Sequence, residues 1–389
     1  MATGLLDYLR GHRQELVDFL ARLATIESPS HEPESQKAVL EILHNELSKL
    51  DYSVRYLPAH PGGRHLYARP RQRERHAPVQ LLLGHCDTVW PVGTLKEMPV
   101  EVGDGVVRGP GVYDMKGGLA QMIFALKALA ALGLEPSVTP VVFVNSDEEV
   151  GSRSSKRYVR YLARVADRAF VLEPSLGPKG KIKTARKGVG RYSLTVVGEA
   201  AHAGLDPEGG ASAILELSYL IQALFALNDP VRGTSINVGT IDGGLSPNVI
   251  APESRAVVDV RVPDQEEAVR VEEEILSLKP ITPGVSLKVE GRIGRPPLER
   301  TPRNQVLWKR ARELGSDLGI ELEEGMAGGG SDGNTTSLFT ATLDGLGAVG
   351  DGAHASYEFV YPDRMVERCA LLALLLMEPS LREIRERSS

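Results

Sequence analysis

Five short stretches of the chain hold the residue types that metal-assisted hydrolysis needs. They are His85-Cys86-Asp87, Asp114 within Gly111-Val112-Tyr113-Asp114-Met115-Lys116-Gly117-Gly118, the pair Glu148-Glu149, Glu173, and His354. Imidazole and carboxylate are donors that catalytic Zn²⁺ takes, in a four-coordinate shell with one position left for water. Two such ions side by side need a carboxylate between them, and together they could acidify a water and polarise a carbonyl. A base must still take the proton and pass it to the leaving amine. Of the adjacent carboxylates Glu148 and Glu149, one could serve as that base and one as a metal ligand. Asp87, two residues past His85, could orient the imidazole.

Taken singly, each residue has a plainer reading. His85 could be a satisfied histidine at a strand end, Glu148-Glu149 a solvated acidic turn, and Asp114 the cap of the helix that follows. Glu173, before Pro174, could be a loop carboxylate. Their common position argues for a site. Residues 79–83, 140–144 and 169–172 are short apolar runs, and each runs into one of the polar stretches. Residues 119–132 form a long apolar helix opened by Gly117-Gly118. Strands followed by helices predict an α/β fold, a mixed, mainly parallel sheet flanked by helices. In open sheets of this kind ligands bind at the C-terminal edge of the strands, where these residues fall.

A chain of 389 residues suits two domains. Leu5, Leu9, Leu16, Phe19, Leu20 and Leu23 recur at helical spacing and predict one amphipathic first helix, ended by Ser28-Pro29-Ser30. Near Lys187 the texture changes. Residues 191–197, 235–241 and 254–260 alternate as strands do, while 211–227 and 264–278 are helical in pattern. This predicts a smaller α+β domain over residues 188–296, inserted into a catalytic domain made of 1–187 and 297–389. Helices over 306–318 and 365–381 return the chain to that domain.

With 42% apolar and 25% charged residues the composition is that of a globular protein. A net charge of -6 argues against nucleic acid or an anionic membrane as the main partner. No run approaches the roughly 20 apolar residues of a membrane span. Asp7, Arg10, Arg13, Glu15 and Asp18 interrupt any secretory signal. Cys86 and Cys369 cannot build a disulfide framework, so the expected location is the reducing cytoplasm.

The motifs resemble those of the M20 family of zinc peptidases and deacylases, which includes glutamate carboxypeptidase, acetylornithine deacetylase, succinyl-diaminopimelate desuccinylase and carnosine-type dipeptidases. The stretches that carry the resemblance are Gly84-His85-Cys86-Asp87-Thr88-Val89, the Gly109 to Gly118 motif, Asp147-Glu148-Glu149-Val150-Gly151-Ser152, Glu173-Pro174, Gly328-Gly329-Gly330-Ser331-Asp332, and His354. They run in family order over nearly the whole chain.

The resemblance implies two Zn²⁺ ions, with Co²⁺ or Mn²⁺ as substitutes. His85 and Glu173 would hold one and Glu149 and His354 the other, with Asp114 as the bridge. Glu148 would be the general base, Asp87 the orienter of His85, and Asp114-Met115 a cis peptide. Ala201-His202-Ala203-Gly204 resembles a motif of the family's lid and dimerisation domain. It implies a homodimer in which His202 reaches the partner's substrate and its developing oxyanion.

Tyr113, Glu173 and the run from Ser246 to Arg261 are most similar to the glutamate carboxypeptidase branch. That likeness implies Asn248, Arg261 and Arg295 as substrate contacts, since arginine grips a carboxylate with two parallel hydrogen bonds. Gly330 and its neighbours could present backbone N–H groups to the terminal carboxylate. The implied reaction releases a C-terminal amino acid, glutamate first, from a small peptide or N-acyl amino acid. The rival is a deacylase of N-acetylornithine or succinyl-diaminopimelate, and a third reading is a metal-dependent binding protein without catalysis.

Overall fold

The computed structural model of the chain describes residues 1–60, 62–74 and 76–383. Two units form. The first comprises residues 1–184, 300–326 and the chain from Ser331, and the second residues 185–299 with 327–330.

The first unit is built on a six-stranded sheet. Its order is Tyr52–Pro58, Arg64–Pro70, Thr139–Asn145, Val79–His85, Ala166–Val171 and Ala341–Leu343. The last four run parallel, while the first two form an antiparallel hairpin added at one edge. Side chains alternate across Val79–His85. Leu82 joins the larger core beneath the helices Ala2–Gly11, Arg13–Ala24, Gly117–Ala131, Pro302–Asp317 and Pro362–Met377. Leu81 and Leu83 join a second core with Val141, Phe143, Val159 and Leu162, under the helix Lys156–Val165. Burial on both faces explains why this strand reads as an apolar run, broken only by Gln80, whose side-chain amide donates to the Val138 and Leu376 carbonyls. Burying each such leucine contributes about 2–3 kcal/mol.

From Val79–His85 the chain crosses to Thr139–Asn145 on one side and then to Ala166–Val171 on the other. Strand order reverses at His85, which opens a crevice at the carboxyl ends of these strands.

The second unit is an antiparallel sheet in the order Ser235–Gly243, Glu253–Val262, Gly188–Val197, Ser286–Arg295. Tyr192, Leu194, Val196, Ala256, Val258 and Val260 alternate inward against the helices Ala213–Ala226 and Gln265–Leu276. Both helices are capped as their sequences demand. Ser212 accepts from the Leu215 N–H and Asp264 from the Glu267 N–H.

The N-terminal pattern makes two helices instead of one. Ala2–Gly11 and Arg13–Ala24 meet at His12, whose backbone leaves helical geometry at ψ 16°. Gly11 weakens the helix there, and the His12 ring turns back to the Tyr8 carbonyl at 2.8 Å. Among the described residues no helix is long and apolar enough to cross a membrane.

Candidate metal centre

The first unit delivers its polar residues to one place. His85 is the last residue of its strand, Glu148 and Glu149 follow Thr139–Asn145, and Glu173 lies two residues past Ala166–Val171. Asp114 stands in the turn before Gly117–Ala131, at a cis Asp114-Met115 peptide, and His354 takes a positive φ of 61° in a late loop. The helix and the strand that lead to Asp114 and Glu173 press together at Gly118. A Cβ there would lie 2.0 Å from the Leu172 carbonyl oxygen, so only glycine permits the approach.

Asp114 sits between the two histidines. Its Oδ1 is 3.3 Å from His85 Nε2, and its Oδ2 is 3.5 Å from His354 Nε2. Beyond them, Glu173 Oε1 lies 3.5 Å from His85 Nε2 and Glu149 Oε2 lies 3.2 Å from His354 Nε2. Glu148 brings a carboxylate oxygen within 4.8 Å of the donor atoms of His85 and Glu173. A tetrahedral ion with bonds of about 2.0–2.1 Å holds its ligand atoms roughly 3.3 Å apart. The four spacings match that edge, and every donor is imidazole or carboxylate. Glu149 Oε1 is buried with no hydrogen-bond partner among the described residues, which is the condition of a ligand atom awaiting a cation. The residues present therefore fit a metal pair.

The tautomer of His85 follows from its other nitrogen. Nδ1 lies 2.9 Å from the Asp87 carbonyl oxygen, which can only accept. Nδ1 therefore carries the proton, and Nε2, turned to the carboxylates, is the nitrogen left to bind a cation.

In the metal-free protein, protons substitute for that cation. Burial pulls the His85 pKa down, but its hydrogen bonds to Asp114, Asp87 and Glu173 prevail and raise it well above the usual value. Asp114 and Glu149 raise His354 to about 10. Burial pushes Glu149 up to about 7, against the lowering effect of His354. Burial would raise Asp114 too, yet the two histidines, with the charge of Lys183, hold it well below the usual carboxylate range.

Asp87 is fully buried. It touches His85 through its carbonyl, as above, and through Oδ1 at 3.5 Å from Nδ1. Its carboxylate also accepts the backbone N–H groups of Glu148 at 3.2 Å and Glu149 at 3.1 Å. One aspartate thus ties the histidine strand to the loop of both glutamates. Ser30 donates its hydroxyl to Asp87 Oδ2 at 2.7 Å. On the far side of that loop, buried Asp332 accepts from Ser152 at 2.6 Å and from Asn145. Ser30 and Asp332 have no local sequence signal for these tasks, because each acts on a segment far away in the chain.

His202, Asn248, Arg261, Arg295 and Gly330 belong to the second unit. His202 is exposed and pairs by a β-bridge with Val249, beside Asn248. Its Nδ1 accepts the N–H groups of Gly204 and Leu205, both at 3.1 Å, which leaves the proton of the neutral ring on Nε2. The Asn248 Oδ1 accepts from Ser246 at 2.7 Å. Arg261 makes a two-bond pair with Asp259 on its own strand, at 2.7 and 3.1 Å. Arg295 ends the strand Ser286–Arg295, and Gly330 is half-buried after Gly328-Gly329.

Residues 81–378 match peptidase family M20/M25/M40. Carboxypeptidase G2 of Pseudomonas sp. is 30% identical over 307 residues, covering 77% of this chain and 73% of its own. Succinyl-diaminopimelate desuccinylase of Xanthomonas oryzae pv. oryzae is 28% identical over 314 residues, 77% of this chain and 82% of its own. Of solved structures, aminopeptidase PepT from Bacillus cereus superposes with a TM-score of 0.75 over 94% of this chain and 98% of that one, at 19% identity. That last likeness is one of fold. The match spans the central strand that ends at His85 through to the final long helix, and so takes in every donor of the cluster. This chain belongs to peptidase family M20/M25/M40, as a metal-binding hydrolase of the peptidase or amidase type.

Proposed function

We propose that the chain is a two-metal carboxypeptidase that releases a C-terminal amino acid, glutamate first, from small peptides or N-acyl amino acids. The observation that carries this reading is Asp114, with one carboxylate oxygen turned to each of two histidines. In this reading His85 and Glu173 hold one zinc ion, Glu149 and His354 hold the other, and Asp114 serves both. Cobalt or manganese would substitute. When bound, the metals supply Lewis-acid polarisation of the scissile carbonyl and an acidified water. Glu148 takes the water's proton and passes it to the leaving amine. Asp87 holds the Glu148 backbone in place through the N–H it accepts.

His202 is the oxyanion donor, supplied by the partner subunit of a homodimer. Two facts support this. Its Nε2 carries the ring proton, as the bonds at Nδ1 require. The helix Ala213–Ala226 exposes Ile214, Leu215, Tyr219 and Phe225 next to the edge strand Ser235–Gly243, an apolar face suited to a second copy. Arg261, Arg295, Asn248 and Gly330 bind the substrate's carboxylates. The pair with Asp259 uses only some of the five N–H groups of Arg261 and fixes the plane of the guanidinium for the rest.

The likeness to succinyl-diaminopimelate desuccinylase favours a second reading, a deacylase of small N-acyl amino acids. Turnover by the zinc-loaded protein on N-acyl amino acids that differ only at the C-terminal residue separates the two. A strong preference for glutamate supports the carboxypeptidase. Indifference to that residue, with cleavage of N-acetylornithine or N-succinyl-diaminopimelate, replaces it with the deacylase.

A further inference from the structure

The segment that carries Asp114 is irregular, with Gly109 and Gly111 at positive φ and with Asp114 and Met115 outside helical geometry. Something other than secondary structure must hold it. Three of its backbone N–H groups turn onto a single side chain, Glu358. Oε1 accepts from Tyr113 at 2.8 Å and from Asp114 at 2.9 Å. Oε2 accepts from Gly111 at 2.9 Å and from the Trp90 indole N–H at 3.0 Å. Two donors meet each oxygen, and the residue is 0% exposed. The Glu358 carbonyl also accepts the Gly109 N–H at 3.2 Å.

Glu358 follows His354 by four residues, in a loop closed by the bonds from Ala355 N–H to Gly352 and from Glu358 N–H to Ala355. One buried carboxylate therefore fastens the segment of Asp114 to the segment of His354. We propose that Glu358 is a positioning residue that sets the spacing between Asp114 and His354, and thereby the metal affinity of that side of the site. This inference rests on the reading above, in which those two residues hold a metal. Converging backbone N–H groups make a cradle for an anion. A carboxylate fills it with two acceptor atoms, whereas glutamine has one oxygen and would aim N–H against N–H.

The test is titration of the metal-free protein with Co²⁺, read by calorimetry and by the visible d–d spectrum. The variants are Glu358→Gln and Trp90→Phe, the latter removing one donor and leaving the carboxylate. Leu372→Ala is the control, a cavity in the helix Pro362–Met377 that lowers stability without touching the cradle. Glu358→Gln should bind one of its two ions about 10–100-fold more weakly, with a changed spectrum. Trp90→Phe should show a smaller change of the same kind. Leu372→Ala should melt lower yet bind Co²⁺ as the wild type does.

Wild-type affinity and spectrum in Glu358→Gln overturn the inference. If that variant does not fold, an unchanged Trp90→Phe overturns it. A wild-type chain that takes up no Co²⁺ sinks the metal reading itself, whereas two ions in the wild type and two unaltered ions in the variants sink only the role of Glu358.

Discussion

Loading the site with metal should expel protons, and their number follows from the groups that hold them in the metal-free state. A ligand nitrogen or oxygen must give up its proton to bind a cation. His354, raised to about 10, is imidazolium at pH 8, and its carboxylate neighbours shift His85 in the same direction. Uptake of metal at pH 8 should therefore release at least about one proton, that of His354. At pH 6 Glu149, raised to about 7, adds another. Each proton displaced makes the apparent affinity rise tenfold per pH unit, about 1.4 kcal/mol. Calorimetry of zinc binding in buffers of different ionisation heat counts the protons directly. His354→Ala should release about one fewer at pH 8.

The same pKa values set the stability of the metal-free chain. His354 is raised above its unfolded value of about 6.5. Its ion pair with Asp114 therefore contributes fully below that pH and is lost as pH rises through about 10. The gap in melting temperature between loaded and metal-free protein should widen over that window. Release of less than about one proton at pH 8, or an equal count from His354→Ala, would refute the assignment of these groups as ligands.

Three further outcomes follow from single contacts. Glu148→Gln should lower turnover by at least about 10²-fold while elemental analysis finds the metal content unchanged; retained turnover would remove Glu148 as the base. Asp87→Asn leaves one oxygen to meet the N–H groups of Glu148 and Glu149 and the Ser30 hydroxyl. Each charge-assisted bond lost costs about 1.5–3 kcal/mol, so the denaturant midpoint should fall by that order, and an unchanged midpoint would contradict the buried arrangement. Gly118→Ala drives a Cβ against the Leu172 carbonyl oxygen and should lower the melting temperature by several degrees; a wild-type value would mean the helix can lift from the strand at little cost.

The parts of the fold legible in the sequence are those buried on both faces. Val79–His85 and Thr139–Asn145 are buried on both faces and largely apolar, so each stands out as a run that stops at a polar stretch. The edge hairpin of Tyr52–Pro58 and Arg64–Pro70 leaves no such mark, because its residues are mostly half-buried and Arg55, Arg64 and Arg69 break the alternation. The helix Lys156–Val165 does carry a period, since Val159, Leu162 and Ala163 recur at i, i+3 and i+4, whereas Ser286–Arg295 has no buried residue and turns only Leu287, Val289 and Ile293 to the core.

Within the site, metal chemistry restricts ligands to few residue types, which makes histidines and acids at strand ends conspicuous. Their supports are not restricted in this way. Ser30 and Glu358 are ordinary loop residues in sequence and Asp332 shows only as the end of a glycine-rich motif, while the tasks of all three exist only through contacts with segments 57, 180 and 244 or more positions away. Asp259 beside Arg261 was within reach, since residues two apart on a strand share a face.

Anomalous diffraction from crystals of the zinc-loaded protein will show whether Asp114 serves two metal ions at once. Two zinc peaks are expected, one between Asp114, His85 and Glu173 and the other between Asp114, His354 and Glu149. A single peak, or two that leave Asp114 outside their ligand shells, would contradict that role.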